Sequence, residues 1–141
     1  MYNYNDKDIV IKRLSEKHLE DISNFCCDDT ELEEFIKNEA LDYQQNLLGV
    51  THLFYIKQQL VGFVTLSTDV VYKKFLPKKE IPNIPLKTYP SLLIGRLAIQ
   101  KEWKRKYVGT KICQWVQAVV IKGHKYAGCK FIKVDSKPDA I

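Results

Sequence analysis

A cluster of cations stands where an apolar run gives way to a helical pattern. Its members are Lys101, Lys104, Arg105, Lys106 and Lys111. The first amides of a helix have no partner within the helix, and the helix dipole adds partial positive charge there. Such a turn can hold a phosphate group, and Gly109 would let a ligand approach the backbone closely. Residues 100–110 therefore predict a phosphate-binding turn, although an ordinary strand-to-helix connection with solvated lysines fits the spacing equally well.

Arg96 is a second candidate, because it interrupts the apolar run of residues 91–99. An arginine inside an apolar strand is rarely left unpaired. From the residues alone, the favoured interpretation is a structural ion pair with an acidic side chain. Trp103, beside the cation cluster, either covers a ligand or packs under the turn.

The histidines and cysteines form no recognisable motif. His18, His52 and His124 have no second histidine or carboxylate at useful spacing, which favours packing or surface roles. The cysteines are Cys26, Cys27, Cys113 and Cys129. Since no C-x-x-C spacing occurs, we expect no metal site and reduced thiols.

The elements around the cation cluster are a strand, a helix and a strand. Residues 91–99 are almost all apolar and predict a central strand that is buried on both faces. The following helix has apolar residues at helical spacing: Val108, Ile112, Trp115, Val116, Val119 and Val120. Gly123 lies where a C-cap belongs, and residues 130–135 predict a last strand. This order is a βαβ unit.

The first half of the chain predicts a strand at residues 9–11 and then a short helix capped by Ser15. A clearer helix begins at a capping box formed by Thr30 and Glu33, and it ends near residues 46–49.

Two β-rich runs at residues 51–56 and 60–66 follow, and they suit a hairpin. Residues 73–90 then predict an irregular basic loop, because they hold four of the five prolines and five lysines. A loop of this length in a compact domain is usually functional or mobile.

Composition places the chain among ordinary globular proteins of one domain. It has 141 residues, of which 45% are hydrophobic and 28% charged, with a net charge of +5. The polar, acidic N-terminus is unlike a secretory signal, and no run approaches membrane-spanning length, so the cytoplasm is the expected compartment. The positive charge favours anionic partners without identifying one.

The sequence of residues 104–109, Lys-Arg-Lys-Tyr-Val-Gly, resembles the signature R/Q-x-x-G-x-G/A of the GNAT superfamily of N-acetyltransferases. Only Gly109 matches strictly, and Tyr107 stands where the first glycine is expected. Residues 94–99, Ile-Gly-Arg-Leu-Ala-Ile, resemble the branch that contains RNA-acetylating toxins of toxin–antitoxin pairs. Phe25-Cys26, Gly49-Val50-Thr51 and the strand at residues 61–67 follow the same branch, so the resemblance covers nearly the whole chain.

The resemblance implies an α/β (α+β) fold over residues 1–141, with a mixed, mostly antiparallel sheet flanked by helices. It implies acetyl-CoA as the cofactor. The backbone of Leu97, Ala98 and Ile99 would pair with the pantetheine arm, and an amide near Ala98 would stabilise the oxyanion. The pyrophosphate would be wrapped by Lys104, Arg105, Lys106, Tyr107, Val108, Gly109 and Thr110. Tyr107 is expected to donate its amide from a helical conformation.

The usual general acid of the family is a tyrosine on the helix after the last strand predicted here. The F-Y-x-x-x-G-F stretch that carries it, and the closing strands of the sheet, have no counterpart in this sequence. A complete chain of this kind would lose a factor of about 10²–10⁴ in turnover for want of a positioned acid. The exposed edge of its last strand would seek a partner or a second copy.

The resemblance implies an N-acetyltransferase that acts on a primary amine, with the aminoacyl group of a charged tRNA as the toxin-like acceptor and an antitoxin as a partner. Arg96 would then line the acceptor cleft and contact RNA phosphate, and the basic loop would help to hold the RNA. Two rivals stay open. One is a non-catalytic acyl-CoA-binding or regulatory protein, and the other is an RNA-binding module without a cofactor.

Overall fold

The computed structural model describes residues 4–135, which form one five-stranded sheet with helices. The strands are β1 (Ile9–Arg13), β2 (Val50–Ile56), β3 (Gln59–Tyr72), β4 (Thr88–Ile99) and β5 (Phe131–Val134). They lie in the sheet in sequence order. The pairs β1–β2, β2–β3 and β3–β4 are antiparallel, and the pair β4–β5 is parallel. The mixed, mostly antiparallel sheet predicted from the sequence is confirmed.

The helices are α1 (Leu19–Ser23), α2 (Thr30–Glu34), α3 (Ala40–Gln45) and α4 (Val108–Gly123), with a π-helical turn at Phe35–Glu39 between α2 and α3. The long second helix of the sequence prediction is therefore interrupted by a π turn. Hydrophobic spacing gives no signal for such a turn, because the apolar residues on either side keep their helical order. No helix within residues 4–135 is long and apolar enough to cross a membrane.

The predicted capping box at Thr30 is wrong by one residue. Asp29 is the N-cap, and its carboxylate accepts a hydrogen bond from the amide of Leu32 at 3.1 Å. Glu33 reaches further back and accepts from the amide of Cys27 at 2.8 Å. This hydrogen bond lowers the pKa of Glu33. The two carboxylates together fix the loop that leads into α2.

The sheet lies between two hydrophobic layers. Side chains alternate along β2, so that Leu53 and Tyr55 pack under α1–α3 whereas Phe54 and Ile56 pack under α4. Burying each large apolar side chain contributes about 1.5–3 kcal/mol. The predicted apolar face of α4 is confirmed, because Ile112 and other members of the stripe are fully buried.

The basic loop is shorter than predicted. It spans residues 73–87, because β4 begins at Thr88 and includes Pro90, whose carbonyl accepts from the amide of Lys130 at 2.9 Å. Two 3₁₀ turns lie within it, Lys73–Phe75 and Lys78–Glu80. The amide of Lys73 donates to the carbonyl of Lys87 at 2.9 Å and closes the loop at its base.

The prediction that residues 91–99 are buried on both faces is wrong. Ala98 and Ile94 are buried, but Leu97 and Ile99 are only partly covered. Leu92 and Leu93 are only partly covered as well, although they pair with β5. The pairing with β5 extends over residues 91–94 and no further. Beyond that point the side of β4 that faces β5 is open.

Candidate cofactor and acceptor sites

A β-bulge at Gly95 decides which backbone groups of β4 are open. The register with β3 pairs Leu66 with Ile94 and Thr65 with Arg96, so Gly95 is an extra residue. Before it, the carbonyl of Ile94 faces β5 and accepts from the amide of Asp135 at 3.1 Å. An extra residue reverses the alternation of backbone groups along a strand. After Gly95, the odd-numbered residues therefore face the β5 side.

The amides that face this open side belong to Leu97 and Ile99. The amide of Gln100 donates to the carbonyl of Val61 in β3 at 2.8 Å. Because backbone groups alternate along a strand, the amide of Ala98, two residues earlier, also points toward β3. The intervening Leu97 and Ile99 point their N–H groups the other way. The expected oxyanion donor near Ala98 is thus Leu97 or Ile99, because the amide of Ala98 itself is directed at β3.

The turn after β4 is docked against the loop between α1 and α2. The amide of Lys101 donates to the carbonyl of Cys26 at 2.7 Å, and the amide of Cys26 donates to the side-chain oxygen of Gln100 at 3.0 Å. The Lys104 ammonium donates to the carbonyl of Cys27 at 2.7 Å. These contacts fix the position from which the chain enters α4.

A groove of about 470 Å³ lies at the head of α4. Its lining consists of Ile99, Trp103, Lys104, Arg105, Tyr107, Val108, Gly109 and Thr110. No group within residues 4–135 accepts a hydrogen bond from the amides of Val108, Gly109 or Thr110. A Cβ added to Gly109 would meet no atom within 4 Å, so there is room for a larger side chain at this position. Of the predicted cofactor residues, Ile99 and those of the turn other than Lys106 line this groove, which suits a phosphate group, whereas Leu97 and Ala98 do not line it.

Tyr107 does not have the helical conformation that we expected from the sequence. It is the N-cap of α4 and lies in the left-handed region with φ of 63°, and Arg105 has φ of 64°. Glycine adopts such angles freely, which explains why the family signature has glycine at the position of Tyr107. A non-glycine residue there costs on the order of 1–3 kcal/mol and persists only where its surroundings hold it.

The cations of the turn divide into two groups. Lys104 is committed to the protein, since it binds the Cys27 carbonyl and lies 3.8 Å from Asp28, which Lys101 also contacts at 3.7 Å. Arg105 is exposed beside the groove. The cation expected to supply charge at the signature's first position therefore serves mainly as a structural tie.

Of the two roles considered for Trp103, packing under the turn is observed, and covering a ligand stays a prediction. It lines the groove, and its ring also packs under the turn, 5.9 Å from the ring of Tyr4. The ammonium of Lys106 lies over the Trp103 ring, 5.1 Å from its centroid. This contact turns the Lys106 side chain toward the tryptophan, and Lys106 does not line the groove.

A larger cleft of about 810 Å³ opens where β4 and β5 part, between α2 with its π turn and the exposed side of β4. Four of its lining residues are acidic and one is basic: Glu31, Glu34, Glu39, Asp135 and Arg96. Leu97 lines this cleft as well, so one of the open β4 amides lies beside it. An acidic cleft of this kind attracts an amine, which is protonated at neutral pH.

Arg96 lies in this cleft without the ion pair that we favoured from the sequence. No carboxylate within residues 4–135 is within 4.0 Å of its guanidinium. The guanidinium instead lies over the ring of Phe35, 4.5 Å from the centroid, and 6.0 Å from that of Tyr43. The π turn begins at Phe35 and helps to set the place of this ring under Arg96. A contact of this type contributes about 0.5–2 kcal/mol.

The chain offers few proton-transfer groups at the cleft besides its carboxylates. No tyrosine or histidine within the described residues lines it. Tyr55 is occupied elsewhere, since its hydroxyl donates to Asp21 at 2.7 Å and burial raises its pKa. No group of three or more His, Cys, Asp or Glu within residues 4–135 is placed to hold a metal ion.

Sequence reasoning missed three contributors to these sites. Phe35 was not among the predicted site residues, and the acidic lining from α2 and the π turn carried no motif. Tyr4 lies more than a hundred residues from the turn that it contacts, and nothing in its local sequence indicates that contact. All three come together only through the packing of distant elements.

No protein-family model matches the chain, and no curated protein sequence matches it. Several solved structures match it in fold. AtaT in complex with acetyl-methionyl-tRNAfMet is 22% identical, with a TM-score of 0.83 over 94% of this chain and 80% of AtaT. A Tyr-to-Phe mutant of KacT is 24% identical, with a TM-score of 0.84 and the same coverages of 94% and 80%.

AtaTR bound with AcCoA is 23% identical, with a TM-score of 0.77 over 94% of this chain and 80% of that one. These neighbours have the fold that the residues of β4 and the turn after it predicted. The chain therefore has the GNAT fold.

Proposed function

We propose that this protein is an acetyl-CoA-dependent N-acetyltransferase with a primary amine as acceptor, formed by residues 1–141 as one GNAT domain. The observation that carries the proposal is that the groove at the head of α4 is continuous with the open side of β4. The unpaired amides at the head of α4 can accept a diphosphate, and the outward amides of Ile99 and Leu97 lead from there to the acidic cleft. The AcCoA complex among the structural neighbours supports the same cofactor.

Each end of the site has a distinct task. The amides of Val108, Gly109 and Thr110 would donate hydrogen bonds to the pyrophosphate, aided by the helix dipole and Arg105. Leu97 and Ile99 would pair with an extended arm as a neighbouring strand does, and either amide could donate to a carbonyl oxygen placed against β4. Acetyl-CoA supplies the thioester when it is bound.

The acidic cleft prepares the acceptor. A carboxylate such as Glu34 or Glu39 attracts the ammonium form and takes its proton, which leaves the neutral amine that acyl transfer requires. No tyrosine lines the cleft within residues 4–135 to return a proton to the leaving thiolate, so that proton must come from the Cys113 thiol or from the protonated carboxyl group. Slow turnover of this chain is the expected consequence.

The aminoacyl group of a charged tRNA is the acceptor that we favour. Its α-amine suits the cleft, and Arg96 together with the lysines of residues 73–87 provides positive charge for phosphate. AtaT was solved with acetyl-methionyl-tRNAfMet, and an AtaT mutant was solved with the C-terminus of AtaR, its antitoxin. An antitoxin, a second copy of the chain and a cytoplasmic location belong to this proposal as well.

A charge reversal at Gly109 tests the cofactor site. Gly109 and Gly123 both lie in α4 with open space at the Cβ position, so Gly123→Glu is a matched control for Gly109→Glu. The glutamate at position 109 projects into the groove and repels a diphosphate, and an acid at a helix N-terminus does not itself destabilise the helix. We expect Gly109→Glu to weaken CoA binding by about a hundredfold or more in calorimetry, and Gly123→Glu to leave it unchanged.

Turnover then separates the rivals. Acetylation of charged tRNAs or polyamines supports the enzyme, whereas CoA binding without any transfer supports the non-catalytic acyl-CoA-binding protein. RNA binding with no measurable CoA affinity in the wild type would contradict the proposal and favour the cofactor-free RNA-binding module.

A further inference from the structure

The N-terminal segment Tyr4 to Asp6 lies across the turn of residues 100–110, called the cofactor turn below, and contacts this turn and the start of α4 at three points. The Tyr4 hydroxyl donates to the carbonyl of Lys106, and the Tyr4 ring meets the Trp103 ring edge to face at 5.9 Å. Asp6 binds the ammonium of Lys111 in the first turns of α4, with 2.8 Å between the charged atoms. The segment therefore contacts the cofactor turn at Trp103 and Lys106 and contacts α4 at Lys111.

The segment is itself fixed in place. The side chain of Asn5 accepts from the amide of Lys7 at 2.9 Å, and the amide of Asn5 donates to the carboxylate of Asp8 at 2.9 Å. This capping box closes a 3₁₀ turn that runs directly into β1. Because β1 is hydrogen-bonded to β2, Tyr4 reaches the cofactor turn from a rigid base.

The point of contact is the part of the turn that most needs support. Lys106 lies between Arg105 and Tyr107, the two left-handed residues of the turn. The Tyr4 hydroxyl holds the carbonyl between them, so neither residue can relax to a right-handed conformation without breaking that bond. The orientation of the first amides of α4 depends on this conformation.

We propose that Tyr4 is a positioning residue for acetyl-CoA binding, which acts by holding Tyr107 in the left-handed conformation that glycine would adopt freely. The inference rests on the proposed function, since it assigns the turn to the cofactor. The N-terminal segment thus offsets the replacement of a signature glycine by tyrosine. A turn already shaped for the diphosphate loses less conformational entropy on binding.

Tyr4→Phe removes the hydroxyl and retains the ring, and Tyr126→Phe is its control, because Tyr126 is 83% exposed. Loss of the hydrogen bond should weaken CoA binding about threefold to tenfold in calorimetry. In kinetics the KM for acetyl-CoA should rise by a similar factor, while kcat and the KM for the amine stay unchanged.

A double variant tests whether Tyr4 acts through Tyr107. In Tyr107→Gly the left-handed conformation carries little strain, so adding Tyr4→Phe to it should change the CoA affinity by less than about twofold. An equal loss in both backgrounds would overturn the proposal, as would wild-type affinity in Tyr4→Phe. A lower melting temperature with unchanged CoA affinity would assign Tyr4 a merely structural role and overturn it too.

A measurement without CoA keeps this inference separate from the proposed function. The amide of Lys111 donates to the carbonyl of Tyr107 at 3.1 Å, so its hydrogen exchange reports the conformation of Tyr107. Tyr4→Phe should accelerate this exchange about threefold to tenfold, and Tyr126→Phe should not. If wild type binds no CoA, the proposed function fails, and unchanged exchange in Tyr4→Phe would sink the positioning role independently.

Discussion

The groove at the head of α4 and the acidic cleft beside β5 are built in opposite ways. The groove is lined by residues 99–110, one nearly continuous segment. The cleft takes its lining from α2, the π turn, β4, β5 and Cys113 of α4, which lie far apart in the sequence. The groove is basic and binds through backbone amides, whereas the cleft is acidic and binds through side chains. A contiguous backbone site can be recognised from a motif, but a side-chain cleft depends on packing.

The two regions are joined through one loop. In the loop between α1 and α2, the carbonyls of Cys26 and Cys27 accept hydrogen bonds from the cofactor turn, and Asp28 forms ion pairs with its lysines. The same loop leads into α2, which lines the acceptor cleft. Asp28 itself has a left-handed backbone, with φ of 65°. A change at either site therefore has a short structural route to the other.

At the acceptor end, the largest effect is expected for Arg96. Arg96→Lys keeps the charge but loses the planar guanidinium that lies on Phe35. We expect amine acetylation to fall about tenfold to a hundredfold, because small errors in position are costly at a reacting centre. CoA affinity should stay unchanged, and the free energy of unfolding should fall by less than about 1 kcal/mol.

Arg13→Lys is the control for this variant, since Arg13 is an exposed arginine on β1. Enzyme assays and denaturant unfolding are measured on both proteins. Equal activity in Arg96→Lys and wild type would mean that Arg96 only packs against Phe35 and takes no part in the cleft.

A smaller effect distinguishes the two cations of the groove. Lys104→Met removes the tie to Cys27 and Asp28 and should weaken CoA binding about threefold to tenfold, with little change in its salt dependence. Arg105→Met removes an exposed charge and should mainly flatten the salt dependence. Calorimetry at two salt concentrations separates them, and the reverse pattern would show that Lys104, not Arg105, contacts the phosphates.

The smallest effect is a pH dependence of stability at the loop that joins the sites. The pKa of Glu33 is lowered, first by the hydrogen bond from the Cys27 amide. A carboxyl group whose pKa is lower in the folded state stabilises the protein above its unfolded pKa of about 4.3, and this stabilisation is lost as pH falls toward the folded value.

Glu33→Gln should therefore make the free energy of unfolding less dependent on pH between roughly pH 5 and 3. Denaturant unfolding over this range measures the slope, with Glu16→Gln as an exposed control. Equal slopes in Glu33→Gln and wild type would mean that the Cys27 bond does not persist in solution.

Local patterns determined much of this fold. Apolar periodicity predicted β1 to β5 and α4, and the cations with Gly109 predicted the head of α4 as an anion site. The hairpin between β2 and β3 was also predicted, although Lys57 and Gln58 adopt left-handed angles of 52° and 68° that favour glycine or asparagine. These elements could be recognised because their apolar residues form runs or helical spacings along one continuous stretch of sequence.

Packing between distant segments decided the rest. The bulge at Gly95, which opens the amides of Leu97 and Ile99, exists only in register with β3. The partner of Arg96 is an aromatic ring set in place by a π turn, and the conformation of Tyr107 is held by Tyr4. The sequence by itself determined which residues could bind an anion. Only the tertiary structure decided how they are oriented, because contacts between residues far apart in the chain have no local pattern.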